Sequence, residues 1–192
     1  MTSQEFLATV LPTSGVYCTA ELSTAKKEHV FVSTIDELYE AALAFDAKGY
    51  NTFFALATFN KNNRTADNAV KMKSLFLDID CGAGKDYEKK SQAADALNKF
   101  LIETGLLGLG NPWIVSSGGG LHVYFPLAEE VDIAVWKPVA ENLKRLCKKK
   151  GFNIDYAVTG DAARVLRVPD THNYKQEKPR PVTIKVEGSI RS

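Results

Sequence analysis

Two acids one residue apart, Asp78 and Asp80, end the apolar run Ser74-Leu75-Phe76-Leu77-Asp78-Ile79-Asp80, and Cys81-Gly82-Ala83-Gly84 stops it. A run of this length closed by glycines reads as a buried strand. Side chains alternate along a strand, so Leu75, Leu77 and Ile79 share one face and the two carboxylates share the other. Their Cα atoms would stand about 6.5 Å apart. Carboxylates crowded on one face repel unless one is protonated or a cation lies between them. A hard divalent cation takes such oxygen ligands. The plainer reading is an acidic turn at a strand end, facing water.

A second constellation is Ser116-Ser117-Gly118-Gly119-Gly120-Leu121-His122. Three glycines let a backbone approach a ligand closely and turn its N–H groups toward an anion. His122 then opens the next strand and can donate to a phosphate oxygen. A glycine hairpin with a half-buried histidine is the structural alternative. No Gly-Lys-Ser/Thr closes the loop, which excludes a Walker A motif.

The third runs from Asp155 to Lys175. Asp155 follows an apolar residue and is expected at a strand start, where it can supply a third carboxylate. Three carboxylates suffice for two metal ions about 3.5–4 Å apart, the arrangement used for in-line attack at phosphorus. Arg164 and Arg167 carry planar, permanently charged forks that match phosphate, and Lys175 adds a point charge. Each base taken singly reads as a surface charge.

The elements that must position these groups follow from periodicity. Strands are expected at Gly15–Ala20, His29–Val32, Asn51–Phe59, Pro112–Val115, Leu121–Phe125 and Pro181–Val186. Helices are expected from Ser33 to Gly49, Asp86 to Thr104 and Asp132 to Lys150, the last with Val135, Trp136, Val139, Leu143 and Leu146 inward. Strands alternate with helices and a glycine hairpin joins two strands. This argues α+β or α/β around mixed sheets. In the polar stretch Asn60–Asn68, Asn60 and Arg64 can reach phosphate or base edges, or simply form a surface loop.

The 192 residues suit one domain or two small lobes on one core. No apolar run approaches the roughly 20 residues that span a bilayer, and no signal peptide is visible. Three widely spaced cysteines argue against a disulfide framework and a zinc site, so a reducing cytoplasm is expected. Charge is uneven: 11 Lys/Arg and 17 Asp/Glu up to Trp136 give −6, and 13 and 6 from Lys137 onward give +7. A basic C-terminal third suits a polyanion, while Lys148, Lys149 and Lys150 also suit the end of a helix dipole.

Taken in order, these stretches resemble the archaeo-eukaryotic primase superfamily, the primase-polymerases, and within it the replication primases of phages and plasmids. Leu75–Asp80 is similar to that family's first motif and Ser117–His122 to its second. Asp155 with Arg164-Val165-Leu166-Arg167 and Asn173-Tyr174-Lys175 is similar to the third. Where the second motif has a serine two residues before the histidine, this chain has Gly120, so a hydroxyl contact would fall to Ser116 or Ser117. The resemblance implies a two-lobed core, an N-terminal α/β lobe and a C-terminal lobe like an RNA-recognition motif, with the boundary near residues 60–70. It implies that Asp78, Asp80 and Asp155 hold two Mg²⁺ or Mn²⁺ ions, with His122 beside them. Ser117, Gly118, Gly119, Gly120, His122, Arg164, Arg167, Asn173 and Lys175 would bind a nucleoside triphosphate. A single-stranded DNA template would run over Asn60, Arg64 and Lys148–Lys150. The implied activity is templated nucleotidyl transfer, priming or extension, on a chain that can belong to a larger protein with a helicase part.

Two other readings remain open from the residues. A metal-dependent phosphodiesterase or nuclease would use the same carboxylates. A non-catalytic module would bind single strands on sheet aromatics such as Phe76 and Tyr124.

Overall fold

Thr2 and Glu5 exchange hydrogen bonds across the first turn of α1 (Ser3–Val10), a short helix whose Phe6, Leu7 and Val10 are buried. The computed structural model describes residues 1–191. After α1 come β1 (Tyr17–Glu21), β2 (His29–Val32), α2 (Ile35–Asp46), β3 (Thr52–Ala55) and β4 (Ala57–Phe59). A helical turn at Ala66–Asn68 leads into the long β5 (Ala69–Asp80). Then follow α3 (Lys90–Thr104), a turn at Leu106–Leu109, β6 (Trp113–Ser116), β7 (Gly120–Asp132) and α4 (Ile133–Lys149). The last elements are β8 (Val165–Arg167), β9 (His172–Asn173), β10 (Arg180–Pro181) and β11 (Thr183–Val186).

The strands form a four-stranded sheet, β2-β1-β3-β8, a five-stranded sheet, β11-β6-β7-β5-β4, and the small pair β10-β9. The class is α+β, as expected. All pairings between these strands are antiparallel rather than mixed. The run Asn51–Phe59 is not one strand. It breaks at Leu56, so that β3 joins one sheet and β4 the other. Leu56 is fully buried at the crossing, which keeps the run apolar throughout and hides the break from periodicity.

One core fills the space between the sheets. Phe54 of β3 stacks on Tyr124 of β7 at 6.4 Å, and Phe6 of α1 meets the same ring edge-on at 5.1 Å. A second core lies on the other face of the five-stranded sheet. There Leu77, Ile79, Val123 and Phe125 pack against Ala93, Leu97 and Phe100 of α3. The helix α4 serves both cores: Trp136 and Ala140 enter the first, Leu143 and Cys147 the second. The Trp136 Nε1–H donates to Ser74 O at 2.9 Å. Val135 and Val139 are not inward, being 58% and 48% exposed. The buried stripe is Trp136, Ala140, Leu143 and Cys147, and the two valines sit one position before it, about 100° around the helix. No described helix is long and apolar enough to cross a membrane.

Glu21 closes the loop between β1 and β2. Its buried carboxylate accepts from the N–H groups of Ser23, Thr24 and Glu28 and from the Thr24 hydroxyl. Burial alone would raise its pKa, but the hydrogen bonds outweigh burial and hold it at about 2, against an ordinary 4.5. The resulting stability is fully present above the unfolded value and is lost as pH falls through about 2. Glu21→Ala leaves three N–H groups without their acceptor and is expected to cost about 2 kcal/mol. Urea unfolding at pH 7 should show this loss, and at pH 3 the gap between the two proteins should narrow.

Candidate active site

The register of β5 on β7 builds one wall of the site. Phe76 lies opposite Tyr124, Asp78 opposite His122 and Asp80 opposite Gly120. Alternation puts Asp78 and His122 on the face that carries Phe76 and Tyr124. The apolar row of the inter-sheet core therefore becomes polar at its end, where a cleft of about 540 Å³ opens. Asp78, Asp80, Ser117, Gly119 and His122 line one side of it. Arg64, Arg164, Arg167, Asn173 and Lys175 line the rest. Residues as far apart in sequence as Arg64 and Lys175 thus meet in one place.

Other expected site residues lie elsewhere. Asp155 lies in an irregular segment just before a turn, not at a strand start. Its N–H donates to Asp78 O at 2.8 Å, which fixes it beside the end of β5. It lines a smaller adjoining cavity of about 170 Å³, which also takes in Asp80 and Lys85. Gly118 faces a different cavity, behind the loop. Arg64 Nη1 donates to Ala163 O at 2.5 Å, so this base is anchored at the cleft rather than on an open surface loop. Asn60 and the lysines at the end of α4, Lys148, Lys149 and Lys150, are exposed and line no part of the cleft.

The electrostatics show a site with surplus negative charge on one wall and positive charge on the other. Burial first, and then the charges of Asp80 and Asp155, push Asp78 up to about 7. Burial pushes His122 down to about 3, with Arg167 adding to the shift, so the imidazole is neutral. The 3.7 Å approach of His122 Nε2 to Asp78 Oδ1 is therefore not an ion pair. His122 Nδ1 and the Tyr124 hydroxyl are buried without a hydrogen-bond partner among the described residues. Arg167 donates to Asn51 Oδ1 at 2.8 Å, and its guanidinium lies over the Phe53 ring at 4.7 Å. Burial lowers its pKa to about 10, which leaves it charged at neutral pH.

Three carboxylates suit a hard divalent cation in donor chemistry, and burial together with the charges of Asp80 and Asp155 disfavours an ionised Asp78. Their side chains are not gathered as placed. No group of three His, Cys, Asp or Glu among the described residues is close enough to hold an ion. Lys85 Nζ holds Asp80 Oδ2 at 2.8 Å, and Arg164 Nη2 stands 3.6 Å from Asp155 Oδ2. The residues suit a cation by donor type, and to meet one the two outer carboxylates would have to leave these bases.

The glycine loop is packed rather than open. Gly118 has φ +81°, in the left-handed region, and a Cβ there would stand 2.7 Å from Asn173 Cβ. Asn173 Nδ2 donates to Ser117 O at 3.0 Å, and Asn173 Oδ1 accepts from Lys175 N at 3.0 Å. Asn173 thus clamps the loop and ties Lys175 to it. A Cβ on Gly120 would meet Ile79 O at 2.1 Å. This explains the absence of serine at that position, and the hydroxyl that lines the cleft is that of Ser117.

Lys85, Phe53 and Asp161 also belong to the cleft and were not anticipated from sequence. Lys85 had a readable signal, since it follows directly the glycine turn that ends the Asp-x-Asp strand. Phe53 and Asp161 had none, because a strand aromatic and a loop acid are common everywhere.

No family model matches the sequence. A replication protein of Clostridium perfringens is 28% identical over 137 residues, which is 69% of this chain and 31% of that protein. The chain therefore spans about a third of that relative's length. The domain of the cyanophage S-2L primase-polymerase superposes with a TM-score of 0.63 at 15% identity, covering 93% of this chain and 85% of that one. The fold is that of a primase-polymerase catalytic domain. The catalytic domain of primase RepB′, solved in complex with initiator DNA, agrees, with a TM-score of 0.57 at 12% identity over 96% of this chain and 84% of that one. This fold brings residues of all three stretches to the cleft, with Asp155 in the cavity adjoining it and Gly118 behind the loop.

Proposed function

We propose that this chain is the catalytic domain of a template-directed nucleotidyltransferase, a DNA primase, a DNA polymerase or both. The observation that carries the reading is the convergence of Asp78, Asp80, His122, Arg164, Arg167 and Lys175 on one cleft of a primase-polymerase fold. The reaction joins a 3′-hydroxyl oxygen to the α-phosphate of a nucleoside triphosphate and releases pyrophosphate. Arg164, Arg167 and Lys175 neutralise the triphosphate, and Arg167 arrives already oriented by Asn51 and Phe53. Neutral His122 donates one ring N–H to a phosphate oxygen without adding charge. Asp78, Asp80 and Asp155 would hold Mg²⁺ or Mn²⁺. When bound, such ions activate the attacking hydroxyl and steady the departing pyrophosphate. Single-stranded DNA is the template and pairing selects the nucleotide. Since the chain covers about a third of its relative, a helicase part on a longer protein belongs to the same proposal.

Incorporation of labelled nucleotide on a primed single strand, with Mg²⁺ or Mn²⁺, tests the reading. Wild-type extension that is absent in Asp80→Ala is the expected result. An unprimed template then separates priming from extension. Degradation of the template in place of extension would replace the polymerase by a nuclease using the same acids.

A further inference from the structure

The loop Ser116–Gly120 has two sides. Ser117 and Gly119 line the active-site cleft, whereas Ser116 and Gly118 line a second cavity of about 680 Å³. That cavity has an apolar floor that includes Ala94, Ile114 and Leu121. Three cations from three separate elements stand around it: Lys90 at the start of α3, Arg180 of β10 and Lys185 of β11. No carboxylate lies within ion-pair distance of any of them among the described residues. Lys90 Nζ donates to Ser116 Oγ at 2.7 Å and Arg180 Nη1 to Gly118 O at 3.3 Å, so two of the cations are fixed on the back of the loop. Burial first, then Arg180 and Lys185, lower the pKa of Lys90. Like charges crowded over apolar surface disfavour one another unless an anion joins them. Neither the motifs nor the active-site reading uses this cluster.

We propose that this second cavity is a nucleic-acid subsite, in which Lys90, Arg180 and Lys185 hold backbone phosphates of a single strand that passes around the glycine loop to the cleft. The choice of a strand over a free nucleotide rests on the proposed function and on the joint wall. A strand can occupy both sides of the loop at once, and its sugars and bases suit the apolar floor. The three cations bind without reading sequence, because phosphate contacts position a strand and do not specify it. The subsite also assigns Ser116 a role distinct from that of Ser117: it anchors Lys90, whereas Ser117 faces the reacting groups.

The test is the binding of a fluorescent oligothymidylate to the chain, followed by anisotropy over a range of salt concentrations. The variants are Arg180→Ala/Lys185→Ala, Lys90→Ala and, as a control, Lys26→Ala, whose side chain is 78% exposed in another part of the molecule. The double variant is expected to bind about tenfold more weakly and to flatten the slope of log K against log salt by roughly 1.4, or about 0.7 per lost phosphate contact. Arg180→Lys/Lys185→Arg should keep the slope, and Lys26→Ala should change nothing. Affinity for a fluorescent nucleoside triphosphate should be unchanged in every variant. Strand affinity and slope unaltered in the double variant would overturn the proposal, as would a wild type that binds no strand. Loss of triphosphate affinity with the strand unaffected would also overturn it, by assigning the cations to a free nucleotide. Incorporation assayed in parallel keeps the two readings apart: a salt slope that falls as expected in a protein that incorporates nothing supports the subsite and refutes the polymerase.

Discussion

Asp78→Asn is expected to raise the stability of the metal-free protein and to remove nucleotide incorporation. The two effects have one cause. Burial, then the charges of Asp80 and Asp155, raise the Asp78 pKa from 3.8 to about 7. An acid whose folded pKa is raised destabilises the folded state as it ionises. The penalty is absent below the unfolded value of 3.8, grows as pH rises, and is complete above about 7. Asparagine never pays it. The full shift overstates the gain, because the side chain is partly open to solvent, which screens its charge. A gain of about 2 kcal/mol at pH 8, or roughly 4–8 °C in melting temperature, is expected. At pH 4 the two proteins should melt nearly together. Added Mg²⁺ should raise the wild-type melting temperature and leave that of the variant unmoved. Incorporation should fall by about a thousandfold or more, since the lost charge stabilisation is several kcal/mol. Equal melting temperatures at pH 8, in chelator, would show that the carboxylate is not strained.

Gly120→Ala is expected to be among the most damaging substitutions in the chain. Gly120 lies opposite Asp80, and its Cβ would stand 2.1 Å from Ile79 O and 3.2 Å from Asp80 Cα. Both obstacles are backbone, so no side chain can swing aside. The start of β7 would have to lift from the end of β5, where Asp78 and His122 face one another. Overpacking of this kind costs about 1–3 kcal/mol or more. Activity should suffer beyond the loss of stability, because the displacement falls on the acids themselves. Gly119→Ala is the comparison: its Cβ would meet only Asn173 Nδ2, at 3.4 Å. Thermal melts and incorporation rates of the two variants should differ clearly, with the second close to wild type in stability.

The acids, the glycine loop and the two arginines were legible because each is a short stretch whose own composition carries the chemistry. Alternation along β5 predicted that Asp78 and Asp80 share a face, and the register with β7 placed His122 opposite the first of them. What failed was what depends on tertiary context. The break at Leu56 is invisible in a run that is buried on both sides of it. α1 spans 8 residues, too few for a helical period to stand out, although Thr2 and Glu5 at capping-box spacing could have signalled its start. Val135 and Val139 were assigned inward because they are apolar, whereas the helix buries the neighbouring stripe. The meeting of Lys90 with Arg180 and Lys185 joins three separate elements, which a linear reading does not pair.

The placement of β8 also has a consequence for the order in which the protein is made. Asp78, Asp80 and the glycine loop are in place once β7 has formed. Arg167 belongs to an edge strand that pairs with β3, more than a hundred positions earlier in the chain, and Arg164 immediately precedes that strand. During synthesis the free edge of β3 waits for a partner made more than a hundred residues later, and such long-range closure is slow. A nascent chain ending before Arg164 therefore holds the acidic wall with only Lys85 and Arg64 as bases, and without Arg164, Arg167 or Lys175. Its ability to grip a triphosphate should appear abruptly, only when translation has passed Arg167.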